Sequence, residues 1–282
     1  MKHSLIAFTA IILATVACTQ KPKVQDVTID GAVGKLQGIV ERPEAADLRT
    51  NDSRYPVAII YHGLTGYKEE NHLNAVNDSL VRAGFATVRF DFNGHGKSEG
   101  LFRDMTLENE LDDALKIYEW TVAQKWADKD RIFVTGHSQG GLETGLVAGT
   151  LGTEKIRGAV LLAPAACICV EAREGSFFGF EFDDEIPESF SVWGDRDLRG
   201  EYLKVARELD VYGITARYTG PVLIIQGLSD GPELIRDAYR YTEYLKDVEY
   251  IPLEGLSHCF PEDYGTPAAL TRDFFLKLAK TN

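Results

Sequence analysis

Cysteine is scarce, with four in 282 residues. Cys18 closes an N-terminal apolar run, and the other three (Cys167, Cys169 and Cys259) are an odd number that builds no disulfide framework. Cys167 and Cys169 stand two apart, without the geometry of an ordinary bridge, so they are expected as core or loop thiols. Basic charge is also short. The 30 Lys and Arg face 43 Asp and Glu, a formal net charge of −13, with no basic cluster beyond the first residues. That balance argues against nucleic acid or an anionic membrane surface as partner. No Cys/His ligand spacing is present, and the glycine-rich pieces fit neither the dinucleotide nor the P-loop pattern. Neither a metal nor any other cofactor is therefore expected. Internal repeats and low-complexity tracts are absent as well.

What is present begins with "MKHSLIAFTAIILATVACTQKPK". A short charged start and an apolar run over residues 5–17, too short to span a bilayer, predict a cleaved signal segment over residues 1–17. Cys18 follows small and β-branched residues in the manner of a bacterial lipobox, so it is the candidate lipidated first residue of the mature chain. Thr15 stands where a leucine is usual, which keeps plain cleavage open; an uncleaved, buried N-terminal helix is the third reading. The expectation is export to the periplasm, free or as a membrane-anchored lipoprotein of a bacterium.

Beyond that segment the chain alternates strand and helix patterns. "YPVAIIYHG", "FATVRFDF", "RIFVTGHSQGG", "IRGAVLLAPA", "PVLIIQG" and "VEYIPL" read as near-continuous apolar strands. "NHLNAVNDSLVRAG", "TLENELDDALKIYEWTVAQ" and "PAALTRDFFLKLA" read as amphipathic helices, the second capped by Thr106 with Asn109. Such alternation predicts an α/β fold with a mostly parallel sheet flanked by helices. Residues 24–42 read as two further strands joined at a glycine turn. Residues 165–217 break the alternation with an aromatic- and carboxylate-rich stretch, read as a cap inserted between two sheet strands.

The strongest chemical pattern is "GHSQGG", which fits G-x-S-x-G with Gly136, Ser138 and Gly140 between a strand and a helix. A serine at its ordinary pKa needs a base, and the base needs an orienting acid. Six histidines are available. His3 belongs to the leader and His72 reads as a helix-surface residue. His137 is expected to pack or bond away from its neighbour Ser138, while His62 and His95 sit in strand-exit loops able to line a site. His258, in "EGLSHCF" after the last strand, is the best base. Asp230, at the end of "LIIQGLSD", is the preferred acid, because Glu254 lies only four residues before the base. Two main-chain N–H groups are needed for the oxyanion; Gln139 after the serine and Leu64 in "HGLTG" are the candidates.

"HGLTG", "VRFDFNGHGKSEG", "VTGHSQGG", "LLAPAA", "YLKVAREL", "LIIQGLSD" and "EGLSHCF" together resemble the α/β-hydrolase superfamily and, more closely, its bacterial cinnamoyl/feruloyl esterases. The resemblance covers nearly everything after about residue 55 and makes residues 18–282 one hydrolase domain. It implies hydrolysis of esters between hydroxycinnamic acids (ferulate, p-coumarate) and plant cell-wall sugars, with Ser138, His258 and Asp230 as triad and Leu64 and Gln139 at the oxyanion positions. The family's cap binds the aromatic acid, which points to Glu171 and Tyr202 for the phenolic hydroxyl, Phe178 and Trp193 as apolar walls, and His62 lining the site. A broad carboxylesterase, an acetyl esterase or a small peptidase on the same fold is the rival enzyme; a non-catalytic binding lipoprotein is the rival of another class. Partners are small esters or feruloylated oligosaccharides, and the chain is expected as a monomer or homodimer.

Overall fold

A computed structural model describes residues 21–43, 48–50, 53–182, 185–194 and 196–280. The predicted leader with Cys18 lies outside the described residues, as do Asp183 and Asp184 of the acidic cap turn. No described helix is long and apolar enough to cross a membrane.

The chain runs β1 (Lys23–Asp30), β2 (Lys35–Arg42), β3 (Tyr55–Tyr61), α1 (Asn71–Arg82), β4 (Ala86–Phe90), α2 (Leu107–Val122), β5 (Ala127–His137), α3 (Gln139–Leu151) and β6 (Gly158–Leu162). A cap follows: α4 (Cys167–Glu174), the pair β7 (Ser176–Phe177) and β8 (Phe180–Glu181), the pair β9 (Ser189–Val192) and β10 (Arg196–Arg199), α5 (Glu201–Glu208) and α6 (Val211–Thr215). The sheet resumes with β11 (Val222–Gly227), α7 (Pro232–Arg240), β12 (Val248–Leu253) and α8 (Gly265–Ala279). Eight strands form one sheet in the order β1-β2-β4-β3-β5-β6-β11-β12. The β1–β2 and β2–β4 pairs are antiparallel and the remainder parallel. This is the expected α/β-hydrolase topology, with the cap between β6 and β11.

Every residue of β3, β4, β6 and β11 is buried, as strands covered on both faces must be. On one face Leu73 and Leu80 of α1 and Phe275 of α8 pack with Ile60, Phe133 and Ile225. On the other, Ile117 of α2 and Leu142 and Leu146 of α3 pack with Ile59, Val134 and Leu161. The cap joins this second core through Phe177, Tyr202 and Leu203. Its interior is not strand-free as the composition implied. Two short hairpins are built there, turned at Phe178–Gly179 (φ 44° and 81°) and at Trp193–Gly194 (φ 49° and 84°). Glycine suits the left-handed region and an aromatic residue does not, so both rings are held at some conformational cost. Cys167 and Cys169 are core thiols on α4.

The cap read at the start of α2 is a full capping box. The Asn109 N–H donates to Thr106 Oγ1 at 3.1 Å, and the Thr106 N–H donates to Asn109 Oδ1 at 2.9 Å. Replacing Thr106 by alanine is expected to lower unfolding stability by about 1 kcal/mol, read from the midpoint of urea denaturation. An unchanged midpoint would mean that tertiary packing alone fixes the start of α2.

Candidate active site

β5 ends at His137, Ser138 takes φ 59° and ψ −121°, and α3 starts at Gln139. A sharp strand-to-helix turn leaves no room beneath it, and the motif glycines supply that room. A Cβ on Gly140 would lie 2.4 Å from the His62 carbonyl oxygen and 2.5 Å from that of Tyr61. One on Gly136 would lie 2.2 Å from the Gly140 oxygen. The Ser138 N–H donates to Leu162 O at 2.9 Å, and the Ser138 carbonyl accepts from Gly141, Leu142 and Ala165 at 2.9–3.0 Å. Backbone bonds on both sides thus hold the strained residue.

Ser138 Oγ stands 2.9 Å from His258 Nε2, and His258 Nδ1 stands 2.7 Å from Asp230 Oδ2. The structure therefore joins three residues from separate loops in one hydrogen-bonded chain. The Asp230 side chain is buried, and its carboxylate also accepts from Gln226 Nε2 at 2.8 Å and from the Gly231 N–H at 2.7 Å. With every oxygen engaged, the carboxylate has one orientation to offer the imidazole. Glu254, the other acid weighed, is exposed. The Leu64 and Gln139 N–H groups have no acceptor among the described residues, and Gly63 sits so close that a Cβ there would be 3.0 Å from Ser138 Cβ. Two free donors beside a serine hydroxyl are what a developing oxyanion requires.

A cavity of about 380 Å³ opens over Ser138, walled by Leu64, Phe178, Trp193 and Leu234, with Glu70, His137 and Cys259 on its remaining side. Phe178 and Trp193 face it from the two strained hairpin turns, their ring centroids 5.7 Å apart. Three of the residues expected at the substrate stand behind this wall instead. Tyr202 is fully buried, and its hydroxyl donates to Gln139 Oε1 at 2.6 Å. Glu171 accepts the Phe178 N–H at 2.6 Å, fixing the hairpin turn rather than facing the cavity. His62 is 1% exposed; its Nδ1–H donates to Gly63 O and its Nε2 accepts from the Phe92 N–H, both at 2.9 Å. Burial pushes this imidazole down to about 4, so it is a neutral strut under the Leu64 loop. Each of the three thus bonds to an element that borders the cavity: Tyr202 to Gln139 at the start of α3, Glu171 to the Phe178 turn, and His62 to Gly63 and Phe92.

Sequence reasoning also missed several supports. His137 Nε2–H donates to the His258 carbonyl at 2.8 Å and so fixes the loop of the base. His72, expected on the surface, is buried against it with ring centroids 4.2 Å apart. Burial lowers His72 to about 4 and also holds His137 well below the usual imidazole range. Lys68 donates to Asp91 through its N–H at 2.8 Å and its ammonium at 2.5 Å, tying the Leu64 loop to the end of β4. Burial raises the Asp91 carboxyl, but the Lys68 and Lys97 hydrogen bonds outweigh it and hold the group below its usual range. Gln139 Nε2 donates to Glu110 Oε2 at 2.5 Å, and burial pushes Glu110 up to about 8 despite that bond. None of these pairings has a spacing signature, because their members come from different elements.

Comparison with known proteins agrees with this architecture. Residues 54–177 match a family profile described as serine aminopeptidase, S33. The ferulic-acid-bound structure of Est1E from Butyrivibrio proteoclasticus superposes with a TM-score of 0.84 at 32% identity, covering 90% of this chain and 100% of that one. The lysophosphatidylserine lipase ABHD12 of Gallus gallus is 32% identical over 129 residues, 44% of this chain and 32% of that protein. An uncharacterized 31.7 kDa Escherichia coli protein from the traX-finO intergenic region is 31% identical over 88 residues, 31% of this chain. The chain spans about a third of the length of these curated relatives, 30% for the last.

Glu110 sets a pH dependence. Between an unfolded value of 4.5 and a folded value of about 8, the folded chain keeps a proton that the unfolded chain has lost. Its contribution is fully present below about pH 4.5 and is lost as pH rises towards 8. Replacing Glu110 by glutamine should flatten the fall of Tm across that window by up to one proton's worth of slope. Parallel Tm–pH profiles for the two proteins would reject this assignment.

Proposed function

The chain belongs to the α/β-hydrolase superfamily, and within it we propose that it is a serine carboxylic-ester hydrolase acting on hydroxycinnamoyl esters of plant cell-wall sugars. One observation carries the reading. Ser138, bonded to His258 and flanked by the unpaired Leu64 and Gln139 N–H groups, opens into a cavity that Phe178 and Trp193 help to wall. The similarity to the ferulic-acid-bound Est1E, over nearly the whole of both chains, supports the acyl class.

In this reading His258 Nε2 takes the Ser138 proton as Oγ attacks the ester carbonyl. The Leu64 and Gln139 N–H groups receive the oxyanion. Asp230 holds the Nδ1–H tautomer and stabilises the imidazolium without taking its proton. The imidazolium then protonates the departing sugar oxygen, and water repeats the sequence on the acyl-enzyme. A planar cinnamoyl group gains most against rigid aromatic faces, and the hairpin turns fix Phe178 and Trp193 before substrate arrives. The phenolic end rests against this wall, which Glu171 supports through the Phe178 N–H.

A second reading, an aminopeptidase, is favoured by the family profile over residues 54–177. A site for a free α-amine wants convergent carboxylates. Among the described wall residues Asp230 is committed to His258, which leaves Glu70.

Methyl ferulate, p-nitrophenyl acetate and an aminoacyl anilide assayed side by side separate the two: kcat/KM should be highest for the ferulate, and faster anilide cleavage would reject the esterase reading. Replacing Ser138 by alanine should abolish fluorophosphonate labelling. Asp230→Asn should keep the fold and lower kcat by on the order of 10⁴, whereas a fully active variant would remove Asp230 from the triad. Phe178→Ala should raise KM for methyl ferulate more than for p-nitrophenyl acetate.

A further inference from the structure

Beside the triad, three side chains of another kind converge. His72 comes from α1, His137 from the end of β5, and Cys259 from the loop after β12; their ligand atoms all lie within 4.8 Å of one another. His72 Nε2 is buried and without a hydrogen-bond partner, in a residue only 7% exposed. Glu70 Oε2 stands 3.8 Å from that nitrogen and lines the same cavity. His137 already donates Nε2–H to the His258 carbonyl at 2.8 Å, which leaves Nδ1 with the free lone pair. A metal-binding histidine characteristically spends its other nitrogen on such a carbonyl.

We infer that His72, His137 and Cys259 form a binding site for a zinc ion, with Glu70 in the fourth position, and that the bound ion inhibits the neighbouring triad. Two imidazoles, a thiol and a carboxylate suit a borderline-soft, tetrahedral cation. Tetrahedral bonds of about 2.0–2.3 Å require the ligand atoms to close by on the order of 1 Å. Binding is a ligand exchange: the Cys259 sulfur loses its proton to solvent and forms the metal bond, and no group is oxidised or reduced. The ring of His137 lies 4.7 Å from that of His258. Glu70, His137 and Cys259 all line the cavity over Ser138, so an ion held by them occupies space beside the serine that a substrate needs. The site has no sequence signature because its ligands are far apart along the chain.

Binding stands apart from the proposed reaction, while inhibition rests on it, so the experiment reads them separately. Chelator-treated protein titrated with Co²⁺ should develop a thiolate-to-cobalt charge-transfer absorption saturating at one ion per chain and displaced by Zn²⁺. Cys259→Ser should lack this absorption and His72→Gln should weaken it. Turnover of p-nitrophenyl acetate should fall with added Zn²⁺ and return with EDTA. Each variant, referred to its own zinc-free rate, should need about tenfold more Zn²⁺ or beyond. No charge-transfer band, or an equal one in Cys259→Ser, overturns the site. A normal band with turnover indifferent to Zn²⁺ overturns the inhibition. If no ester is turned over, the cobalt absorption still tests the site by itself.

Discussion

The turn at Ser138 holds a non-glycine residue at φ 59° and ψ −121°, a conformation that persists only when its surroundings over-determine it. Here they do so from three sides. Gly140 lets α3 press onto the carbonyls that end β3, Leu162 takes the serine N–H, and three N–H groups cap its carbonyl. The same contact that strains the serine draws the Gly63–Leu64 backbone against it. The cavity-lining serine and the free N–H groups beside it are thus two results of one close approach between the end of β3 and the start of α3.

Around that contact the protein uses buried, neutral polar groups as struts. His62 holds the Leu64 loop, His137 holds the loop of His258, and the Gln139 side chain spans from Glu110 to Tyr202. Each is expensive to bury without partners, and in these bonds each has one. Rigid support of this kind lets the reacting groups keep their spacing without a bound ligand. The cap adds a second strained feature, since both cavity-facing aromatics sit at hairpin turns with positive φ.

Much of this was legible along the chain. The apolar runs gave β3, β4, β6 and β11 because strands buried on both faces have no polar alternation to hide. Thr106 and Asn109 announced the start of α2, since a capping box is local by construction. Gly136, Ser138 and Gly140 announced the turn for the same reason. The order Ser138, Asp230, His258 followed from the strands that precede each residue, and the distances of 2.9 and 2.7 Å join them.

Less legible were the roles of polar residues whose partners lie elsewhere in the chain. Glu171, Tyr202 and His62 bond to residues that no spacing pairs with them, and His72, with the helical spacing of a surface residue, is buried in the folded chain. The sequence by itself determined the parallel sheet and the elbow, and it singled out Asp230 and His258, because those depend on local periodicity, local sterics and chain order. Only the tertiary structure decided which histidines are struts, which aromatics face the cavity, and that His72, His137 and Cys259 meet, because these depend on contacts between elements that no spacing encodes.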